Sequence, residues 1–313
     1  MDRAGIEPAA SSMPRKRSTT DLPARSYLLG CHRIKELFVT CVPVTCRTVF
    51  FPAGNTVCIS TSPPTFLKRK GFYGSTKRTG SHGSGTGGLM LGIIGGTSLL
   101  FSTLPRLEKK TVATPFGPAD LLCGKDLVML MRHQNSRPPH RIHYRANLAA
   151  MAIAGVTRII AFGSTGSLKT EIAPGSLLIP DDYLSMTDIP SIHDHAIEHV
   201  RPELSAELAK KLRDIVPAAR YGGIYVQTRG PRIETVAEVE ALAKIADVVG
   251  MTVASEATLA CELGMDFAAL CTIENYANGL GSEVLTYEHI VNVAKENRSR
   301  TEEILSAVIR TLQ

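Results

Sequence analysis

From residue 90 to the C-terminus, short β-rich apolar runs alternate with segments of helical period. The apolar runs predict strands at Met90–Ile94, Leu127–Met131, Arg158–Phe162, Ser176–Ile179, Gly223–Val226, Val248–Met251 and Phe267–Thr272. Helices are predicted at Tyr144–Ala154, Pro202–Ile215, Thr235–Ile245, Ser255–Leu263 and Tyr287–Leu312, the last with Thr286 as its N-cap. Alternation of this kind specifies an α/β domain, a mixed or largely parallel sheet buried between helices. Residues 1–89 carry no sustained period of either kind, and Pro43, Arg47, Pro52 and Asn55 break their apolar patch at Leu37–Ile59. Two regions are therefore expected: a low-complexity extension over 1–89 and one domain over 90–313.

Charge divides the chain at the same place. Residues 1–89 hold 13 Lys+Arg against 4 Asp+Glu, whereas 90–313 hold 22 against 25, so the net +6 belongs to the front. Its clusters, Arg15-Lys16-Arg17, Lys68-Arg69-Lys70 and Lys77-Arg78, alternate with Ser, Thr, Pro and Gly and close in the run Gly80–Gly88. A phosphate-binding arm and a targeting peptide both fit the charge. Sparse aromatics argue against the first, and Arg residues that share no helical face argue against the second. The simplest reading is a disordered segment or translated noncoding sequence, with Met90 as the start. Gly83–Gly88 is read as linker, because a dinucleotide fingerprint must follow a strand and this run precedes one.

Composition excludes other classes. No run approaches the ~20 apolar residues of a membrane span, and the 44% hydrophobic content fits a globular chain. Four of the seven Cys lie in 1–89, none pairs at metal-knuckle spacing, and a reduced, cytoplasmic protein without a metal site is expected.

Polar clusters sit where the predicted strands end: Gly95-Gly96-Thr97-Ser98, Arg132-His133, Gly163-Ser164-Thr165-Gly166-Ser167, Met251-Thr252 and Glu274-Asn275. In an open α/β sheet, ligands bind beyond the carboxyl ends of the strands, so clusters distant in sequence can converge. Hydroxyls flanked by glycine, together with one guanidinium, suit a phosphate. Thr97, Arg132, Ser164, Thr165 and Thr252 thus read as an anion site without a Walker lysine.

The sequence resembles the trimeric-type purine nucleoside phosphorylases, within them the branch of methylthioadenosine and S-methyl-5'-thioinosine phosphorylases. The motifs are Gly92-Ile-Ile-Gly-Gly-Thr97, Thr114-Pro-Phe-Gly117, Arg132-His133, Pro138-Pro-His140, Tyr144-Arg-Ala-Asn147, Gly166-Ser-Leu168, Thr228-Arg-Gly-Pro-Arg-Ile-Glu-Thr235, Val249-Gly-Met-Thr252 and Asn275-Tyr276. The resemblance implies phosphorolysis: inorganic phosphate, a co-substrate and not a cofactor, attacks C1' of a purine ribonucleoside through an oxocarbenium-like transition state. It further implies phosphate contacts from Thr97, Arg132, His133, Ser164, Thr165 and Thr252, and Met251 under the ribose. Ile233 would lie on the purine face, with Glu234 and Asn275 on its edge, in a homotrimer that binds neither membrane nor nucleic acid. Without the resemblance, the favoured reading of Glu234 is an exposed acidic group at a helix start.

Glu234 accepts from N1–H of a 6-oxopurine, while an Asn275 amide both donates to O6 and accepts from N7–H. Inosine, guanosine or S-methyl-5'-thioinosine is therefore the expected substrate. The alternatives are methylthioadenosine, a hydrolase of the same fold, and a noncatalytic nucleoside-binding relative. Two segments, Arg132–Pro138 and Thr187–Leu204, are shorter than the family pattern. His193, His195 and His199 are candidates to cover the sugar 5' end.

Overall fold

The computed structural model describes residues 47–50, 56–59, 90–281 and 286–313, and most of the expectations for 1–89 fall outside them. Where sequence period predicts nothing, Arg47–Phe50 (β1) pairs antiparallel with Thr56–Ile59 (β2). The chain continues through β3 (Met90–Gly95), β4 (Glu108–Thr114), β5 (Gly117–Cys123), β6 (Leu127–Met131), α1 (Tyr144–Ile153), β7 (Val156–Ser167), β8 (Leu177–Ile179) and β9 (Asp182–Ser185). Then come α2 (Ala206–Ile215), β10 (Arg220–Tyr221), β11 (Ile224–Gln227), α3 (Val236–Leu242), β12 (Val248–Gly250), α4 (Val253–Glu262), β13 (Asp266–Tyr276), α5 (Tyr287–Glu296) and α6 (Arg298–Leu312).

Strands β3 to β13 form one mixed sheet whose main path runs β10-β8-β13-β7-β3-β6-β5-β4, with β12, β11 and β9 branching from the far end of β7. Its centre, β13-β7-β3-β6, is parallel, which brings the carboxyl ends of four strands to one edge. These strands are apolar on both faces because helices cover both. Along β7, Ile159 and Ala161 join a core layer with α1 and α4, while Ile160 and Phe162 join a second layer that holds Leu305 and Val308 of α6. Each such large side chain contributes roughly 1.5–3 kcal/mol on burial.

The polar tails of β7 and β13 were expected as loops, yet both remain in strand. Thr165 is opposite Ile273 and Gly166 is opposite Asn275, so Glu274 is the extra residue of a bulge. Beyond it β7 turns to pair antiparallel with β12 through Gly166 and Ser167. The expected helix Tyr287–Leu312 is two helices meeting at Asn297, whose carbonyl accepts from the Thr301 N–H and hydroxyl. The helix starts follow their caps: Ser205 accepts from Leu208 N–H, Thr286 accepts from His289 N–H, and Thr235 forms a capping box with Glu238. Among the described residues no helix is long and apolar enough to cross a membrane.

Candidate active site

The turn after β3 and the end of β6 are joined through Arg132. Its backbone N–H donates to the Gly95 carbonyl at 2.8 Å, and its guanidinium lies against Gly96, where a methyl group would collide with Nη1. That close approach requires glycine at position 96. Nη1 also donates to the Phe162 carbonyl of β7 at 2.8 Å, so one residue ties β3, β6 and β7 together. Thr97 opens the short 3-10 turn Thr97–Leu99 beside it and is half-buried.

Arg132 is not an open positive charge, and here the expectation needs correction. Its Nε and Nη2 donate to the two oxygens of Glu256 at 2.6 and 3.0 Å, and both side chains are almost wholly buried. Burial works against the guanidinium charge, but Glu256 outweighs it and holds Arg132 protonated above its ordinary range. Glu256 lies on the first turn of α4, which the periodicity reads as ordinary apolar helix. What remains of Arg132 for an anion is its two other N–H donors, not a full unit of charge.

His133 follows at once and is half-buried, its Nδ1 2.8 Å from the Arg137 carbonyl. A carbonyl only accepts, so Nδ1 carries the hydrogen and Nε2 of the neutral ring is an acceptor. Burial lowers its pKa, the Arg137 bond raises it, and nearby Arg132 lowers it further, with a net downward shift. A neutral His133 therefore suits a phosphate that still carries a proton. The shortened stretch after it is pinned, since Gln134 accepts from Asp120 N–H at 2.9 Å and donates to the Asp120 carbonyl at 2.8 Å.

Of the β7 hydroxyls, only Ser164 is exposed to the site edge. Its Oγ is half-buried and donates to Oε1 of Glu274 at 2.5 Å. Thr165 is buried, and its hydroxyl donates to the Thr272 carbonyl at 3.0 Å. Its side chain thus has no hydrogen left for phosphate, a second correction to the anticipated hydroxyl cluster. Thr252 is the N-cap residue of α4 and is buried, but its side chain does not cap the helix. Tyr225 Oη accepts from the Thr252 and Val253 N–H groups at 3.2 and 3.3 Å, and Gln227 Oε1 accepts from Ser255 N–H at 3.0 Å. Tyr225 and Gln227 were missed because an aromatic and an amide inside an apolar strand read as core.

The other side of the site is built on the segment after β11. Thr228 Oγ1 donates to Glu234 Oε1 at 2.5 Å, and Asn278 Nδ2 donates to the Glu234 carbonyl at 2.9 Å, linking Glu234 to the chain just after β13. Ile233 is half-buried next to it. Gly230 (φ 62°) packs against the Met251 thioether, and the Met251 carbonyl accepts from Tyr144 Oη at 3.1 Å. Asn275 is buried; its Nδ2 donates to the Tyr276 carbonyl at 2.8 Å, which orients Oδ1 the opposite way and leaves one N–H free.

The histidines of Thr187–Leu204 behave differently from one another. His193 lies 3.4 Å from Glu198, whereas His195 and His199 are exposed. That segment is anchored elsewhere: Ser191 Oγ and Ile192 N–H donate to Glu262 of α4, and Asp194 pairs with Arg145 of α1. Among the described residues no group of three or more His, Cys, Asp or Glu could hold a metal ion.

Residues 90–310 match the model of the Phosphorylase superfamily. The chain is 38% identical to a probable 6-oxopurine nucleoside phosphorylase of Archaeoglobus fulgidus, over 71% of this chain and 96% of that protein. It is 36% identical to a probable S-methyl-5'-thioinosine phosphorylase of Methanocaldococcus jannaschii, over 67% of this chain and 88% of that one. In fold it is similar to methylthioadenosine phosphorylase from Schistosoma mansoni, solved with adenine, at a TM-score of 0.64 and 22% identity over 72% of this chain and 92% of that one.

Proposed function

The chain belongs to the phosphorylase superfamily, and from that premise we propose that it is a purine nucleoside phosphorylase acting on 6-oxopurine ribonucleosides or their 5'-methylthio analogues. Inorganic phosphate attacks C1', the bond to N9 breaks with its electron pair leaving on the base, and the products are free purine and the (methylthio)ribose 1-phosphate. The two relatives named above, a 6-oxopurine and a thioinosine enzyme, support this class of pentosyl transfer.

The observation that carries the choice of base is the fixed polarity of two side chains. Thr228 occupies one oxygen of Glu234, which turns the other toward a donor such as N1–H. The Tyr276 carbonyl fixes the Asn275 amide so that Oδ1 can accept from N7–H as the base departs and the free N–H can donate to O6. Adenine, with N1 as an acceptor and an amino group at C6, mismatches both.

Phosphate is assigned to the edge formed by Thr97, Arg132, His133, Ser164 and Thr252, with Thr165 contributing backbone only. Arg132 supplies direction more than charge, because Glu256 balances it. Ile233 and Met251 border the base and ribose. We assign residues 90–313 as the phosphorylase domain, apart from the extension 1–89, and a homotrimer in the cytoplasm as the working state, following the trimeric type it resembles. No metal or organic cofactor is required by this chemistry.

A panel of inosine, guanosine, adenosine and both methylthio nucleosides, each with and without phosphate, tests the proposal. The 6-oxopurines should turn over only with phosphate. Equal turnover without phosphate would make the protein a hydrolase, and preference for adenosine or methylthioadenosine would overturn the base assignment.

A further inference from the structure

Glu274 has entered so far only as the acceptor of the Ser164 hydroxyl, yet it is an unusual buried group beside the site. It is the extra residue of the β13 bulge and only 1% exposed. Bulges next to active sites often serve to re-aim a side chain. Its Oε1 accepts from Ser164 Oγ at 2.5 Å, and its buried Oε2 has no hydrogen-bond partner. An orphaned carboxylate oxygen is costly, and protonation removes much of that cost.

Ser164 has one hydroxyl hydrogen. While Glu274 is a carboxylate, that hydrogen is held by Oε1, and Ser164 turns lone pairs toward any anion arriving at the strand edge. Once Glu274 is protonated, its own O–H can donate to Ser164 Oγ, and the serine hydrogen is released toward the anion. We propose that Glu274 is a positioning residue that couples anion binding to uptake of one proton, switching Ser164 from acceptor to donor. The inference rests on the reading of Ser164 as a phosphate contact.

The surroundings leave Glu274 as the group that changes state. Arg132 is bound to Glu256, and Arg300 of α6 donates to the Gly175 carbonyl at 2.6 Å. His289 is the half-buried titratable group of α5. Burial shifts the two candidates in opposite directions, His133 downward and Glu274 up to about 7, with the Ser164 bond opposing the latter. Above neutral pH, His133 is already deprotonated while Glu274 still titrates.

Sulfate is the suitable probe, since it remains a dianion across the range where phosphate itself titrates. Its affinity and linked proton uptake would be measured by calorimetry between pH 6 and 8.5, in buffers of different ionisation enthalpy. For the native protein, proton uptake should be a fraction of one per sulfate, largest between pH 7 and 8, with affinity falling severalfold from pH 6 to 8.5. Glu274→Gln, which presents a permanent donor to Ser164, should take up no proton from pH 7 upward and lose that slope. Ser164→Ala should weaken binding severalfold at pH 6 and leave it unchanged at pH 8.5, a readout available even if Glu274→Gln folds poorly. Identical slopes in the native protein and Glu274→Gln would overturn the switch, as would a uniform loss at all pH values in Ser164→Ala. A protein that cleaves inosine with phosphate yet shows no Glu274-dependent slope refutes the switch alone. One that shows the slope but no phosphorolysis refutes the functional reading alone, and absence of both the slope and phosphorolysis refutes both.

Discussion

Removing the Arg132 guanidinium should affect stability before it affects chemistry. In Arg132→Met, the carboxylate of Glu256, 1% exposed, loses its one charged partner and both hydrogen bonds from it, and remains buried. Breaking a buried pair in this way costs about 3–5 kcal/mol. For a domain of this size, that corresponds to a fall in Tm of about 6–20 °C. Arg132 also bonds to the Phe162 carbonyl, which adds a buried acceptor without a donor. Replacing both partners, as in Arg132→Met with Glu256→Leu, removes the stranded charge and should recover most of the stability, because apolar substitutes for a buried pair are often neutral. Thermal unfolding of the two single variants and the double variant gives the coupling between the residues. Phosphate use should stay impaired in the double variant, since stability returns but the two N–H donors do not. A single variant as stable as the native protein would show that the pair is not buried as described. Normal phosphate dependence in the double variant would remove Arg132 from the phosphate site.

Three further outcomes follow from the same geometry. Gly96→Ala places a methyl group against Nη1 of an arginine that Glu256 and Phe162 hold in place, so the phosphate KM should rise severalfold with little change in nucleoside binding, as steady-state kinetics would reveal. Asn275→Asp exchanges the free N–H for an acceptor, and the inosine-to-adenosine ratio of kcat/KM should fall by roughly 1–3 kcal/mol in transition-state terms; an unchanged ratio would show that Asn275 does not read the base. Glu274 ionises in the unfolded chain near its ordinary value but in the fold only at about 7. Below the ordinary carboxylate range both states are protonated and no penalty exists. As pH rises toward about 7 the unfolded state gains roughly 3 kcal/mol, a loss that urea unfolding should detect and that Glu274→Gln should abolish.

Much of the site was legible because it sits at strand ends, where apolar runs give way to glycines and hydroxyls. Thr97, Arg132, Ser164, Thr165 and Thr252 read as an anion site in that way, whereas the roles of His133 and Asn275 came from the family resemblance. The parallel centre of the sheet was equally plain, since strands covered on both faces read as unbroken apolar runs: β6 matches its expected span, and β3 extends it by one residue. The strands β4 and β5 were not, because their one-sided exposure mixes Lys, Thr and Asp into the pattern. The balancing charge on Arg132 was invisible for another reason: Glu256 lies 124 residues away on a helix, and an acidic residue in a first helical turn has an ordinary explanation. Thr165 shows the same limit in reverse, for nothing in Gly-Ser-Thr-Gly indicates which hydroxyl faces the edge and which bonds inward.

The central claim is that phosphate, not water, cleaves the nucleoside, and the products report it directly. Incubation of the protein with inosine and inorganic phosphate, followed by phosphorus NMR, should show a sugar phosphate ester growing in step with free hypoxanthine as inorganic phosphate declines. Hypoxanthine released with no ester and no loss of phosphate would contradict the account.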